Sequence, residues 1–246
     1  SNFLGVMFIA LNTAIKGKGL LHQINTSKSK HVIVENLFFD EVNNLKNIYK
    51  LDVEILNCGE LKNKELVKES EVTFGKLSDN VCSMFTSGTS GPSKGVMMPN
   101  AHCVLFAIGT IENYELKHDH IFYISLPLFH ANGLFMQLLA CIITGAKAII
   151  RKRFSASNWL KDVRKYDVTH TNMLGAIAAF VVAQPTSEHD KDHKLVVIGS
   201  APLPSEPERI FRERFGVKQV FPLYGMTEVN IPVSYTHLRA HETFAN

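Results

Sequence analysis

Short runs of β-branched and aromatic residues alternate, from residue 81 onward, with stretches whose apolar positions recur at helical spacing. Several runs are almost wholly apolar, which is typical of parallel strands buried on both faces. The runs predict strands at 81–87, 121–128, 146–151, 168–173, 195–200 and 219–224, and the stretches between them predict helices near 99–113, 131–144, 155–166, 174–184 and 204–216. This order predicts an α/β fold, in which βαβ units build parallel sheets flanked by helices.

Residues 12–80 follow the same pattern with a weaker signal. They predict a helix near 18–26 and strands at 31–35 and 53–56, followed by a lysine-rich, solvated run at 61–70. Because this polar run precedes the first strong strand, we expect a partial first α/β subdomain at 1–80 and a second one at 81–233. Residues 234–246 show neither period and resemble a translated sequencing adapter, so we interpret them as a non-native tail, with a genuine exposed loop as the alternative.

Composition and charge exclude several classes of protein. The 246 residues are 46% hydrophobic, which is enough for a large buried core. The net charge of +3 comes from scattered basic residues, so no nucleic-acid-binding surface is expected. Polar residues interrupt the most apolar stretch, 134–150, so no membrane span is expected. Four isolated cysteines argue against a zinc site or a disulfide framework and favour the reducing cytoplasm.

A loop rich in glycine and hydroxyl groups follows the first strong strand, where residues 84–96 read MFTSGTSGPSKGV. Glycines let backbone N–H groups approach an anion, hydroxyls add donors and a lysine adds positive charge. A Walker loop is excluded because Lys94 is followed by Gly95 rather than by a magnesium-binding hydroxyl. A nucleophile elbow would need one more residue, so Ser90 is not expected to be a nucleophile. The residues expected to bind phosphate are Thr86, Ser87, Gly88, Thr89, Ser90, Gly91 and Lys94.

This loop resembles the phosphate-binding signature of the adenylate-forming superfamily, which includes acyl-CoA synthetases, luciferases and nonribosomal peptide adenylation domains. Pro92 and Ser93 stand where the family has x-Pro, an exchange that leaves Lys94 in register. Later segments resemble further motifs in the family's order: LPLFHANG at 126–133, IGSAPL at 198–203 and LYGMTE at 223–228. The resemblance covers residues 1–233.

The resemblance implies roles for individual residues. His130 would lie beside the acyl carboxylate, Tyr224 would pack on adenine, Thr227 would bond the α-phosphate and Glu228 would hold Mg²⁺. Simpler interpretations are a polar strand cap for His130 and a core aromatic for Tyr224. The expected catalytic residues are His130, Thr227, Glu228 and Lys94, and the nucleotide site would add Gly199, Ser200, Ala201, Tyr224, Gly225, Met226 and Thr227. The acyl pocket, placed by position alone, would comprise His130, Asn132, Gly133, Asn172, Met173, Leu174 and Gly175.

The function implied is ATP-dependent activation of a small-molecule carboxylate to an acyl-adenylate, followed in the full-length parent by transfer to coenzyme A. We expect this fragment to lack the family's small C-terminal domain and therefore to bind ATP and Mg²⁺ without turning over. Residues 154–172 most resemble the branch containing crotonobetaine/carnitine-CoA ligases. Two alternatives stay open, an adenylation domain that loads a carrier protein and a non-catalytic nucleotide-binding fragment. Oligomeric state is not predicted.

Two further features are expected to be structural. His189 and His193 have the spacing of metal ligands on a helix, but acidic residues and Pro185 around them indicate a solvated loop. Trp159 and the basic cluster at 151–153 are expected to be surface residues of an amphipathic helix and of the segment that precedes it.

Overall fold

The computed structural model describes residues 5–60, 75–86 and 92–234. The chain divides into two compact units, Ser1–Asn100 and Ala101–Asn246. The sequence predicts a division near residue 80, but the strand Asn80–Thr86 pairs in parallel with Phe8–Ala10 and antiparallel with Lys94–Pro99. This pairing places the strand in the first unit.

The described part of the first unit contains two small sheets and two helices. Its elements are β1 (Phe8–Ala10), α1 (Gly17–Ser27), β2 (His31–Val34), α2 (Asn36–Tyr49), β3 (Glu54–Asn57), β4 (Asn80–Thr86) and β5 (Lys94–Pro99). One sheet has the order β1-β4-β5, and β2 pairs in parallel with β3. Alternation along β2 buries Val32 and Val34 against Leu20 and Ile24 of α1 and Val42 of α2. Neither α2 nor β5 is among the elements that the sequence predicts.

The second unit follows the predicted alternation of strands and helices. Its elements are α3 (Asn100–Asn113), β6 (Ile121–Ile124), a π-helix (Asn132–Leu139) that continues as α4 (Ala140–Thr144), β7 (Lys147–Ile150), α5 (Ala156–Lys165), β8 (His170–Leu174), α6 (Gly175–Val182), β9 (Val197–Ala201), α7 (Ser205–Glu213), β10 (Gln219–Met226) and β11 (Asn230–Ser234). Within the described residues its sheet has the order β11-β10-β9-β8-β6-β7. Pairing is parallel from β10 to β7, and β11 is antiparallel to β10. The predicted α/β fold with a parallel sheet and flanking helices is confirmed.

The register of the parallel strands separates the two faces of this sheet. Met173 and Ile198 belong to a core that includes Trp159 of α5, Ala178 of α6 and Phe211 of α7. Residues adjacent to these on the strands point to the opposite face, where Asn172, Gly199 and Phe221 lie side by side. One face therefore forms the core with α5, α6 and α7, and the other is available for a site.

The surface position expected for Trp159 is wrong. Its side chain is only 1% exposed, and it packs at 6.2 Å from the ring of Phe211 and at 5.9 Å from that of Phe215. Trp159 shares the inner face of α5 with Val163, while Lys161 between them is exposed. Arg151, from the basic cluster, forms an ion pair of 3.2 Å with the largely buried Asp162 on the same helix.

No helix in the described ranges is long and apolar enough to cross a membrane.

Arg214, directly after α7, fixes the loop that joins α6 to β9. Its Nε donates to Asp190 Oδ2 at 2.6 Å, and its terminal nitrogens donate to the carbonyl oxygens of Gln184 at 2.8 Å and Pro185 at 2.7 Å. The two side chains of the ion pair are 15% and 6% exposed. Loss of the cation would leave Asp190 buried and its charge uncompensated.

We expect Arg214→Met to lower the free energy of unfolding by about 3 kcal/mol, the lower end of the range for breaking a buried pair. Urea denaturation followed by the fluorescence of Trp159, the single tryptophan, measures this change. The matched control is Arg209→Met on α7, because the side chains of the Arg209–Glu213 ion pair are 59% and 62% exposed. Exposed pairs contribute about 0–1 kcal/mol. Equal losses in the two variants would contradict the assignment of Arg214.

Candidate functional site

A cavity of about 260 Å³ lies at the carboxyl ends of β8, β9 and β10. Open α/β sheets bind ligands at this edge, because strand ends and the loops that follow them converge there. Its lining includes the last residues of β8 and β9, Leu174 and Ala201, together with the end of β10. The full lining is Phe106, His130, Ala131, Asn132, Met136, Leu174, Ala201, Leu223, Tyr224, Gly225, Met226 and Thr227.

The cavity brings together residues that the sequence analysis selected from separate motifs. The loop after β6 provides His130, the β9 turn provides Ala201 and the end of β10 provides Tyr224. The predicted site residues that line it are His130, Asn132, Leu174, Ala201, Tyr224, Gly225, Met226 and Thr227. These residues are far apart in sequence, so their convergence is a product of the fold.

The end of β10 departs from regular strand geometry. Its pairing with β11 shifts between Tyr224 and Met226, and a bulge at such a place re-aims side chains. Leu223 is buried, whereas Tyr224 is 55% exposed and borders the cavity. Tyr224 is therefore not a core aromatic. Glu228 is exposed in the turn that joins β10 to β11.

His102 on α3 holds this turn in place, although no sequence motif includes it. A ring nitrogen of His102, Nε2, donates to the carbonyl oxygen of Thr227 at 2.9 Å. Asn230 Nδ2 in turn donates to the carbonyl oxygen of His102 at 2.8 Å. Phe106, one helical turn after His102, contacts its ring and lines the cavity. The i, i+4 spacing of His102 and Phe106 is the one sequence signal that could have indicated this face of α3.

His130 lies in the short turn between β6 and the π-helix. Its backbone N–H donates to the carbonyl oxygen of Pro127 at 3.2 Å, and its ring lies 4.5 Å from that of Phe129. Partial burial of the imidazole lowers the pKa of His130 below its ordinary value of 6.5. The ring is therefore mainly neutral at pH 7 in the free chain.

The π-helix shapes the wall next to His130. In this geometry residues five apart are neighbours, and Gln137 Nε2 donates to Asn132 Oδ1 at 2.8 Å. A Cβ on Gly133 would lie 2.4 Å from the carbonyl oxygen of Pro127, so only glycine lets the helix run this close to the turn that carries His130. Gly133 thus positions the wall of the cavity and is not itself part of the lining.

Several other predicted site residues lie elsewhere. Met173 belongs to the buried core, on the face of β8 opposite to that of Asn172 and Leu174. Ser200 is fully buried, and its hydroxyl donates to the carbonyl oxygen of Pro202 at 2.8 Å. Gly175 begins α6 and lets that helix approach Pro202 closely. Asn172 and Gly199 lie side by side on the cavity's face of the sheet, two residues before Leu174 and Ala201 on the same strands.

The predicted phosphate-binding loop, within residues 84–96, belongs to the first unit. Thr86 and Lys94 stand opposite each other where β4 and β5 separate, so the loop joins two antiparallel strands. β5 therefore lies between this loop and the predicted helix near 99–113. Ser93 is held by His22 of α1, whose Nε2 donates to its carbonyl oxygen at 2.9 Å. Five of the predicted phosphate ligands, Ser87, Gly88, Thr89, Ser90 and Gly91, lie outside the described residues.

The described ranges contain no group of three or more His, Cys, Asp and Glu side chains placed to hold a metal ion. His189 Nδ1 bonds Asp192 at 2.8 Å in an exposed loop, in agreement with the structural interpretation of that histidine. Mg²⁺ commonly binds through one or two carboxylates and the substrate's phosphates. The single exposed carboxylate of Glu228 fits an ion that arrives with a nucleotide.

Residues 2–245, nearly the whole chain, match the family model described as AMP-binding enzyme. The chain belongs to the AMP-binding enzyme family. The resemblance to the adenylate-forming superfamily is thereby confirmed, and AMP-binding family members with acyl-CoA ligase names are among its relatives.

Two curated relatives are similar in sequence. Long-chain fatty acid transport protein 6 of Mus musculus is 28% identical over 242 residues, covering 93% of this chain and 39% of that protein. The medium/long-chain-fatty-acid CoA ligase FadD17 of Mycobacterium tuberculosis is 32% identical over 172 residues, covering 69% of this chain and 34% of that protein. The chain thus spans well under half the length of these relatives.

Solved structures share the fold. ATP-bound MatB from Rhodopseudomonas palustris superposes with a TM-score of 0.81 at 21% identity, covering 95% of this chain and 48% of that one. O-succinylbenzoate coenzyme A synthetase (MenE) from Bacillus subtilis, in complex with ATP and a magnesium ion, gives a TM-score of 0.76 at 26% identity, covering 92% and 46%.

We expect His102→Ala to loosen the turn after β10, because the hydrogen bond from the His102 ring to the carbonyl oxygen of Thr227 is lost. A hydrogen bond contributes about 0.5–1.5 kcal/mol, so amide hydrogen exchange at 226–230 should quicken by about 2- to 12-fold. The control is His118→Ala, at an exposed position of the same unit. Unchanged protection of these amides in His102→Ala would show that the turn does not depend on His102.

Proposed function

We propose that this chain carries the nucleotide- and acid-binding part of an AMP-forming acyl-CoA ligase. Such an enzyme activates a carboxylic acid with ATP to an acyl-adenylate and, in the full-length parent, transfers the acyl group to coenzyme A. One observation carries the proposal: His130, Ala201 and Tyr224, each from a different family motif, border one cavity at the strand ends. Family membership and relatives named as CoA ligases support it.

The proposed first step is an in-line displacement. A carboxylate oxygen forms a bond to the α-phosphorus of ATP, the bond from that phosphorus to the bridging oxygen breaks, and pyrophosphate leaves with the electron pair. A carboxylate is ionised near neutral pH, so the protein need not supply a nucleophile or a general base. Catalysis then depends on holding the reactants in line and on neutralising phosphate charge.

The residues of the chain divide this work between them. The exposed ring of Tyr224 offers a flat apolar surface to adenine, and Thr227 offers a hydroxyl to the α-phosphate. Lys94 and the hydroxyls of the phosphate loop would bind the β- and γ-phosphates. Glu228 would help to hold Mg²⁺, which neutralises charge on the phosphates when bound. The cavity, about 260 Å³, is smaller than the roughly 300–1,000 Å³ typical of sites for whole ligands, so it suits one part of the reactants.

The acid and its acceptor are the finer parts of the proposal. The relatives' names support coenzyme A over a carrier protein as the acceptor. Those names include medium- and long-chain fatty acids and o-succinylbenzoate, and the resemblance of residues 154–172 adds carnitine-type acids as candidates. We also propose a cytoplasmic location, which is supported by the sequence, because its four cysteines are spread singly and include no CxxC pair.

We expect Lys94→Ala to weaken MgATP binding by about 10- to 150-fold, because a charge-assisted contact contributes roughly 1.5–3 kcal/mol. Calorimetric titration of the purified chain measures this affinity without the acid or the acceptor. The matched control is Lys18→Ala, which removes an exposed lysine of the same unit.

Two outcomes would count against the proposal. If Lys94→Ala bound MgATP as tightly as the native chain, the loop would not be a phosphate site. If the folded native chain bound no MgATP, this polypeptide would not perform the proposed function.

We expect binding of a probe acid, hexanoate, to tighten as pH falls from about 8 to 5.5. The pKa of His130 is lowered in the free chain, and a nearby carboxylate favours the imidazolium and raises that pKa, so binding takes up a proton. Each unit by which binding raises the pKa strengthens binding up to tenfold at low pH. His130→Gln, titrated in the same buffers, should show a flat profile. An equal pH slope in the variant would place the acid away from His130.

A further inference from the structure

Below the cavity, on the same face of the sheet, lies a second layer of side chains. Leu174 and Ala201 line the cavity, and two residues earlier on the same strands come Asn172 and Gly199, which are partners in the parallel register. A strand rises about 3.3 Å per residue, so the second layer lies about 6.6 Å further from the strand ends. Phe221 of β10 completes this layer beside Gly199.

Tyr114, which follows α3, occupies the space above this second layer. A Cβ built on Gly199 would lie 1.8 Å from the hydroxyl oxygen of Tyr114. Any side chain at position 199 would therefore displace the tyrosine. Ring contacts with Phe221 at 4.9 Å and Phe122 at 5.6 Å fix the ring, and His170 Nε2 donates to the carbonyl oxygen of Tyr114 at 3.0 Å. These contacts hold the ring of Tyr114, and with it the hydroxyl, next to Gly199.

The polar atoms of this layer lack partners. Tyr114 is 1% exposed and Asn172 is fully buried, yet among the described residues neither the Tyr114 hydroxyl nor either amide atom of Asn172 has a hydrogen-bond partner. Burial raises the pKa of Tyr114, which keeps the hydroxyl protonated and able to donate. Unpartnered buried polar groups are costly and rare, and a cluster of them calls for a ligand.

One apolar side chain separates this layer from the cavity. Leu223 lines the cavity, and its Cδ1 lies 2.9 Å from the Cβ position of Gly199, next to the Tyr114 hydroxyl. A change of its rotamer would let a chain bound in the cavity reach this hydroxyl. On the π-helix wall, Gln137 Oε1 is also buried and has no hydrogen-bond partner in the described part of the chain, although Gln137 Nε2 bonds the cavity-lining Asn132.

We propose that the acid bound here is short and carries a hydrogen-bonding group at the end distal to its carboxylate, and that Tyr114 and Asn172 recognise this group. The inference rests on the proposed function and names its substrate class. A plain alkyl chain would leave the hydroxyl and the amide unpartnered, whereas a distal hydroxyl or carbonyl satisfies the donor of Tyr114 and one amide atom of Asn172. Sites built to bond a polar group discriminate strongly against analogues that lack it.

The test compares two acids of equal chain length, hexanoate and 6-hydroxyhexanoate. Each is titrated calorimetrically into the chain saturated with α,β-methylene-ATP, whose α–β linkage cannot break, so only binding is measured. We expect the native chain to prefer 6-hydroxyhexanoate by about 2- to 12-fold for each hydrogen bond gained. Tyr114→Phe and Asn172→Leu should each reduce the preference.

Tyr123→Phe is the matched control. Tyr123 is also buried in this unit, but its hydroxyl donates to Asp162 Oδ2 at 3.0 Å. This variant should keep the preference for 6-hydroxyhexanoate and lose stability to urea. Tyr114→Phe should lose the preference with no loss of stability, because its hydroxyl has no partner to lose. A purely structural role for Tyr114 predicts the reverse pattern.

The outcomes separate the two proposals. Equal affinity for both acids in a chain that binds α,β-methylene-ATP would overturn this inference and leave the proposed function standing. Failure to bind the nucleotide would overturn the proposed function and this inference with it. If Tyr114→Phe does not fold, the Asn172→Leu titration decides the question by the same criterion.

Discussion

The parallel register of β8, β9 and β10 is the constraint on which the candidate site depends. It places Asn172, Gly199 and Phe221 in one row and turns their neighbours, among them Met173 and Ile198, into the core beneath α5, α6 and α7. A shift by one residue would exchange the two faces and bury the cavity wall. Because parallel strands end at the same edge, the register also brings three separate motifs to one place.

Close backbone approaches refine what the register establishes. Gly133 lets the π-helix run against the turn that carries His130, and Gly175 does the same for α6 at Pro202. His102 ties the turn after β10 to α3 through Thr227. Each of these contacts holds a turn at the strand ends against a helix. The wall of the cavity therefore consists of turns that packed helices keep in place.

The sequence predicted the fold class and the parallel strands of the second unit, because buried strands of such sheets are continuous apolar runs. It overestimated β6, which ends at Ile124 before a proline-containing turn. It missed β5, which contains Gly95 and ends at Pro99, and β11, which contains Pro232 between polar ends. Most of the site was found through motifs. His102, Tyr114 and Gln137 were missed because their roles depend on contacts with residues distant in sequence. Met173 was misplaced because adjacent strand residues face opposite ways, and position alone does not tell which way.

The proposed function requires the adenine of ATP to stack on the exposed ring of Tyr224, at the border of the cavity. The most direct test is photolabelling of the chain with 8-azido-ATP, followed by mass spectrometric mapping of the labelled peptide with and without excess ATP. We expect a label on residues 219–230, or on the segment 130–136 that borders the same cavity, and we expect excess ATP to remove it. A label confined to other segments, or one that ATP does not displace, would show that adenine does not bind at Tyr224.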